Sequence, residues 1–206
     1  MNELQRAQWL ADRAGKLTAS RMRDAMDVLK TGKPSQKRAD YMRDLLAERI
    51  TGLTTRCYVT PAMEWGLLQE DPAKAAYEAA SGNIVTPCGF YDHPEIDNFG
   101  ATPDGLVDDG LIEIKCPTTG KFIDWWLAGC VVPDEHKPQI CAQLLCTGRA
   151  WCDFVAFDPR VQAASRRLFV ARYTPTQSEL DAVRDGAVKF LAELEAMFDI
   201  FTTKAA

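Results

Sequence analysis

The sequence predicts an α+β domain, or an α/β domain built on a mixed central sheet. Helical patterns fill the chain up to about residue 82, and short apolar runs broken by Pro, Asp and Gly follow it. A helix–helix–strand–strand–helix order then closes the chain. A length of 206 residues suits one domain, and 47% hydrophobic with 26% charged residues is enough to build a core. The expected layout is a single domain over 1–206. It has a helical N-terminal part to about 82, a sheet core over about 83–175 and a C-terminal helix over about 176–200.

Taken in order, residues 3–14 read as a helix, and a turn at Gly15 leads into "LTASRMRDAM", where Thr18 or Ser20 offers a cap for a second helix. "TGKP" at 31–34 breaks the chain, and Ser35 starts a helix to about Ile50. Thr60-Pro61 sets a capping hydroxyl before an N1 proline, which opens a helix to about Ala80. Strands are expected over 83–90, 97–102, 104–107 and 111–116, helices over about 119–129 and 133–146, and strands in "AWCDFVAF" and "RRLFVARY". From Thr176 on, Leu180, Val183, Ala187, Phe190, Leu191, Leu194 and Phe198 form one stripe at helical spacing.

No apolar run reaches the roughly 20 residues of a membrane span. The opening "MNELQRAQWLADRAG" mixes both charge signs, unlike a secretion signal. A soluble, intracellular protein without membrane partners is expected. The seven cysteines contain no Cys-x-x-Cys pair, and Cys141, Cys146 and Cys152 lack zinc-ligand spacing, so free, mostly buried thiols are expected. A net charge of −5 argues against binding nucleic acid over the whole surface, yet leaves room for a locally basic lining. Lys30, Lys33, Lys37, Arg38, Arg43, Arg49 and Arg56 crowd one stretch, for which a solvated helix face is the ordinary explanation. "KTGKPS" lacks the glycine spacing of a nucleotide-binding loop, so no ATP is expected.

The chemistry concentrates in "TPDGLVDDGLIEIKC" at 102–116. Alternation along the strand puts Leu111, Glu113 and Lys115 on one face and Ile112, Ile114 and Cys116 on the other. Asp108-Asp109-Gly110 marks the turn. With a loop of two or three residues, Asp104 falls opposite Glu113, Ile114 or Lys115, and in each case the Asp104 and Glu113 carboxylates can converge. Two desolvated carboxylates repel unless a cation lies between them. Oxygen donors without His or Cys select Mg²⁺ or Mn²⁺ over zinc. A lysine beside them can orient or deprotonate a water and offset developing negative charge. Together these describe a phosphodiester hydrolysis site, against the plainer reading of a solvated hairpin.

"ATPDGLVDDGLIEIKCPTT" resembles the core of the λ-exonuclease-like phage recombination nucleases of the PD-(D/E)XK superfamily. Other segments resemble the family in order: "WLADRAGKLTASR" at 9–21, "MEWGLLQED" at 63–71, "HKPQICAQLL" at 136–145 and "AWCDFVAFDPR" at 150–160. The resemblance implies a restriction-endonuclease-like fold, a mixed sheet flanked by helices. It also implies a Mg²⁺-dependent exonuclease, with Mn²⁺ as a substitute, that digests the 5′-ended strand of linear duplex DNA to mononucleotides and leaves a 3′ overhang. It further implies a ring-shaped homotrimer threaded by DNA, a single-strand annealing protein as partner, and a phage or prophage product working in the host cytoplasm. A related nuclease type with an iron–sulfur cluster would need four grouped cysteines, which the spacing here does not supply.

The resemblance also implies residue roles. Asp104 and Glu113 match the metal carboxylates, the Ile114 carbonyl a further metal ligand, and Lys115 the lysine that serves the attacking water. Glu70 matches a helix glutamate near a second metal, and Gln143 a glutamine that holds the water or scissile phosphate. Arg13, Ser20 and Thr102 match a 5′-phosphate pocket, with Thr102 in place of the more usual Ser. Met63 takes the place of an apolar wedge at the terminal base pairs, with a core methionine as the alternative. Lys30 and Lys33 lie where the family contacts the DNA backbone. The family's second glutamine, two residues after the first, is Leu145 here. Trp125-Trp126 is read as packing rather than base stacking.

Overall fold

The computed structural model describes residues 3–54 and 60–203; Arg56 of the basic run lies outside the described residues. Helix α1 (Glu3–Arg13) leads to a two-residue strand β1 (Leu17–Thr18), a 3₁₀ turn and the short α2 (Met22–Ala25). No capped helix starts at Thr18 or Ser20. Thr18 is extended and makes no side-chain cap, and its backbone joins a sheet instead.

The next two helices begin where the hydroxyls predicted. Ser35 accepts from the Arg38 N–H (3.2 Å) to open α3 (Gln36–Thr51), and Thr60 accepts from the Met63 N–H (3.3 Å) to open α4 (Pro61–Ser81). Gly82, at φ +75°, ends α4 in the left-handed conformation that an L side chain resists.

Strands β2 (Tyr91–Asp92), β3 (Phe99–Ala101), β4 (Gly105–Val107) and β5 (Gly110–Lys115) follow, then α5 (Thr119–Leu127) and α6 (Lys137–Thr147). Strands β6 (Cys152–Phe157) and β7 (Leu168–Tyr173) precede the long α7 (Gln177–Thr203). The expected strand over 83–90 does not form. That stretch contributes one bridge, Thr86 to Leu106, and Pro87, which has no N–H to give a ladder, interrupts it.

The main sheet runs β4-β5-β6-β7, with β5 and β6 parallel and the outer pairs antiparallel; a second sheet runs β1-β3-β2. Each face of β5 packs into a different core, as its alternation requires. Leu111 packs with Phe122, Trp125, Ile140 and Phe154 under α5 and α6, whereas Ile112 and Ile114 pack with Ala73 and Tyr77 of α4. Trp125 is buried and Trp126 packs on the same core, as read from the sequence. A third core joins Leu17, Met22, Tyr41, Leu45 and Phe99 to the α7 stripe Val183, Ala187, Phe190, Leu191 and Leu194.

Helix α4 is fastened to the sheet by a satisfied polar network: the Tyr77 hydroxyl donates to Asp153 (2.8 Å), which also takes two bonds from Arg172 (2.9 Å each). Arg38 does not belong to a solvated basic face. It is 4% exposed, donates to the Ala25 carbonyl (2.8 Å) and pairs with Glu193 (2.7 Å). Arg49 similarly bonds the Gly15 carbonyl and Glu195. Among the described residues no helix is long and apolar enough to cross a membrane, and the six cysteines, half of them buried, form no disulfide.

Candidate active site

The hairpin between β4 and β5 closes with a two-residue loop, Asp108-Asp109, in which Asp108 takes φ +48°. Arg149 clamps it from outside by donating to the Asp108 and Gly110 carbonyls (2.6 and 2.8 Å), and the Trp151 indole donates to Asp109 (2.7 Å). Gly110 has no alternative here, because a Cβ would come within 2.3 Å of the Trp151 ring. Gly105 pairs with Ile112, and continuing that register sets Asp104 opposite Glu113, the first of the three arrangements left open by the sequence.

Asp104 accepts a 2.6 Å hydrogen bond from the Ile114 N–H. Burial, reinforced by the Glu113 charge, holds its carboxyl well above the usual carboxylate range, against the pull of Lys115 and the Ile114 amide. Glu113 is 1% exposed and pairs with Lys115. Burial disfavours the lysine's charge, but the Glu113 and Asp104 carboxylates outweigh it and hold Lys115 above an ordinary lysine. The lysine is therefore an ammonium at neutral pH.

Two glutamines complete the setting. Gln143 is fully buried and donates to Glu113 Oε2 (2.6 Å). Gln139, which the sequence reading passed over, donates to Glu113 Oε1 (2.7 Å) and accepts from Lys115 Nζ (3.4 Å). It thus bridges the carboxylate and the lysine. The signal for it was present: Gln139 and Gln143 are four residues apart on α6 and share a face. His136 was also missed. Its ring packs against Trp125 and Phe154 within electrostatic reach of Lys115 and Glu113, and burial lowers its pKa to about 4, so it is a neutral wall of the site.

Glu70 of α4 stands close enough to Asp104 to raise its pKa further, while its own carboxylate is held by Lys74 (2.7 Å). Asp104, Glu113, Lys115, Gln143 and Glu70 are therefore brought together from strand β5, the bend before β4 and two helices. Arg13, Ser20 and Thr102 form a second group. The Arg13 guanidinium donates to Thr102 (3.4 Å) and Ser20 (3.3 Å), and it stacks on Trp9 (4.3 Å). Thr18 adds a third hydroxyl, 3.4 Å from that of Ser20. Met63 is 52% exposed and so is not a core methionine. Lys30 and Lys33 stand exposed in the loop between α2 and α3, with no hydrogen bond or ion pair to either group among the described residues.

Among the described residues, no three His, Cys, Asp or Glu side chains are arranged to hold a metal ion. The third carboxylate, Glu70, is turned to Lys74. What the site offers a cation is a pair of carboxylates, Glu113 buried and Asp104 partly buried. This donor set suits a hard ion that keeps several of its waters, as Mg²⁺ does, and lacks the His and Cys that zinc favours. The buried Oε1 of Gln143, without a hydrogen-bond partner among the described residues, is a further acceptor beside Glu113.

Comparison with known proteins bears on this geometry. The YqaJ-like viral recombinase domain matches residues 8–150. The fold is similar to that of an alkaline exonuclease, LHK-Exo, from Laribacter hongkongensis, with 40% sequence identity, 97% of each chain covered and a TM-score of 0.88. The same exonuclease in complex with dAMP is equally similar. A phage related exonuclease from Haemophilus somnus 129PT shares the fold at 12% identity, with 93% of this chain and 96% of that one covered and a TM-score of 0.66. No curated protein sequence matches. The mixed sheet with flanking helices is thus a PD-(D/E)XK-like fold.

Proposed function

The chain belongs to the YqaJ-like viral recombinase domain family and is a nuclease of recombination; from that premise we propose that it is a Mg²⁺-dependent 5′→3′ exonuclease of linear duplex DNA. On this reading it releases mononucleotides and leaves a 3′ overhang for single-strand annealing. One observation carries the reading: the Arg13 pocket and the carboxylate site abut. Thr102, bonded to Arg13, and Asp104 are two residues apart, at most about 7 Å of chain. A 5′-terminal phosphate held at Arg13 and the first phosphodiester held at the carboxylates are then one nucleotide apart. Hydrolysis there frees a mononucleotide, and LHK-Exo, to which the fold is similar, was solved with dAMP.

In this reading Asp104, Glu113 and the Ile114 carbonyl hold Mg²⁺, or Mn²⁺ in its place, with Glu70 nearby. The bound cation supplies Lewis acidity to the scissile phosphate. Gln139 and Gln143 fix both oxygens of Glu113, so the carboxylate cannot swing away as substrate enters. Lys115 presents its ammonium where negative charge develops and orients the attacking water. Arg13, Ser20 and Thr102 recognise the terminal phosphate dianion by fork and hydroxyls, which gives the direction of digestion. Neither ATP, zinc nor an iron–sulfur cluster has a role. Assembly as a ring-shaped homotrimer, partnership with a single-strand annealing protein and action in the cytoplasm of a phage's host complete the proposal.

The test uses linear duplex labelled at the 5′ or the 3′ end, with Mg²⁺ against EDTA, and 5′-phosphate against 5′-hydroxyl forms. Early release of the 5′ label as mononucleotide, only with metal and faster from the phosphorylated end, is expected. Cutting of closed circles, or early loss of the 3′ label, would defeat the reading.

A further inference from the structure

The carboxylates around β5 are matched to lysines unevenly. Glu113 is paired with Lys115, and Glu70 with Lys74 at 2.7 Å. Asp104 accepts only the Ile114 N–H among the described residues. The Glu113–Lys115 pair already has its place in the proposed reaction, whereas Lys74 has none.

A glutamate and a lysine four apart on a helix usually form a solvated pair of little consequence. This pair lies on a different surface. Glu70, Ala73, Lys74 and Tyr77 follow at i, i+3, i+4 and i+7 on one face of α4, and Ala73 and Tyr77 are fully buried against the sheet. The Lys74 and Glu70 side chains are accordingly only 24% and 34% exposed. Both charges reach the catalytic hairpin. Glu70 helps to hold the Asp104 carboxyl up, and Lys74 acts on Cys88, whose thiol donates to the Pro103 carbonyl (3.4 Å) next to Asp104.

The consequence is electrostatic. Mg²⁺ sits about 2.1 Å from a carboxylate oxygen, so an ion on the Glu70 oxygen bonded to Lys74 would stand at most about 5 Å from that ammonium. At such a distance, away from bulk water, the repulsion lowers the ion's affinity by about tenfold or more. At Asp104 and Glu113 a cation meets two carboxylates against one ammonium and is attracted. At Glu70 it meets one against one.

We propose that Lys74 is the resident counter-ion of Glu70 and keeps a second divalent cation off this carboxylate, so that the protein without DNA takes one ion per chain, an inference that rests on the exonuclease reading. The experiment counts Mn²⁺ bound by the full-length protein without DNA, by electron paramagnetic resonance of the free ion. It compares the wild type with Lys74→Met, Lys74→Gln and Lys74→Arg. Wild type and Lys74→Arg are expected to bind one ion per chain over a range in which the two uncharged variants bind two, the second ion held about tenfold or more tighter than by wild type. Adding Glu70→Gln to Lys74→Met should return the count to one. Equal counts and affinities for wild type and both uncharged variants would overturn the inference, as would two equally tight ions on the wild type. Absence of Mn²⁺ binding by every one of these proteins would instead remove the cation site of the exonuclease reading, and this inference with it.

Discussion

The two groups of polar residues at the head of the sheet are built to different tightness. Around Glu113 and Asp104 the bonds measure 2.6–2.7 Å, and Glu113 is buried. Around Arg13 they measure 3.3–3.4 Å, and Ser20 is exposed. The first group has its charges fixed before any substrate arrives, which is what electrostatic stabilisation of a transition state requires. The hydroxyl contacts of the second lie near the outer limit of hydrogen-bond length, and shorter charge-assisted bonds to an anion can replace them. On the proposed reading, one region is organised for chemistry and the other for capture. Damage to the first should therefore lower every rate, and damage to the second should lower only the discrimination between ends.

The largest effect is expected at Lys115. Lys115→Ala removes the ammonium but leaves Glu113 held by both glutamines, so duplex binding in Mg²⁺ should survive while hydrolysis falls about a thousandfold or more. Fluorescence anisotropy beside nucleotide release measures the two separately, and near-wild-type cleavage would dissolve the distinction between the regions. Next comes Gln139→Ala, which leaves Glu113 Oε1 to its pair with Lys115 alone and removes the amide that bridges the two. Activity should drop about 10–100-fold, as for partners of a metal ligand, with a higher Mg²⁺ concentration needed for half-maximal rate on both kinds of end. An unchanged Mg²⁺ titration would mean that Gln139 does not steady Glu113.

The contrast also governs what could be read in advance. Local rules found the caps Ser35 and Thr60, the alternating faces of β5 and the hairpin turn, because each depends on residues within a few positions. The small sheet escaped notice because Leu17 and Thr18 pair with Phe99 and Gly100, some 80 residues away, and two residues leave no periodicity to detect. Arg38 looked like part of a basic run because its partner, Glu193, lies on the last helix. At the site, resemblance picked out Gln143, whereas Gln139 needed the step of putting both amides on one helical face. The group Arg13, Ser20 and Thr102 came from resemblance alone, since nothing local links residues separated by 89 positions.

Arg13→Ala tests the capture region on its own. The variant should lose the preference for 5′-phosphate over 5′-hydroxyl ends by about tenfold, the worth of one charged hydrogen-bonding group, while its rate on hydroxyl ends stays near wild type. An equal fall on both substrates would show that the guanidinium stacked on Trp9 serves the fold rather than the phosphate.

The smallest and sharpest test is Thr102, because it touches both regions: its hydroxyl accepts from Arg13 and its backbone leads through Pro103 to Asp104. Thr102→Val keeps the shape and removes the hydroxyl, so one uncharged donor to the phosphate is lost and the 5′-phosphate preference should fall about two- to fivefold. Thr102→Ser restores the hydroxyl without the methyl and should return the preference to wild type. If valine instead lowers the rate on hydroxyl and phosphate ends alike, the residue acts by placing Asp104. Capture and chemistry would then be mechanically one unit, and their difference in tightness would not separate their functions.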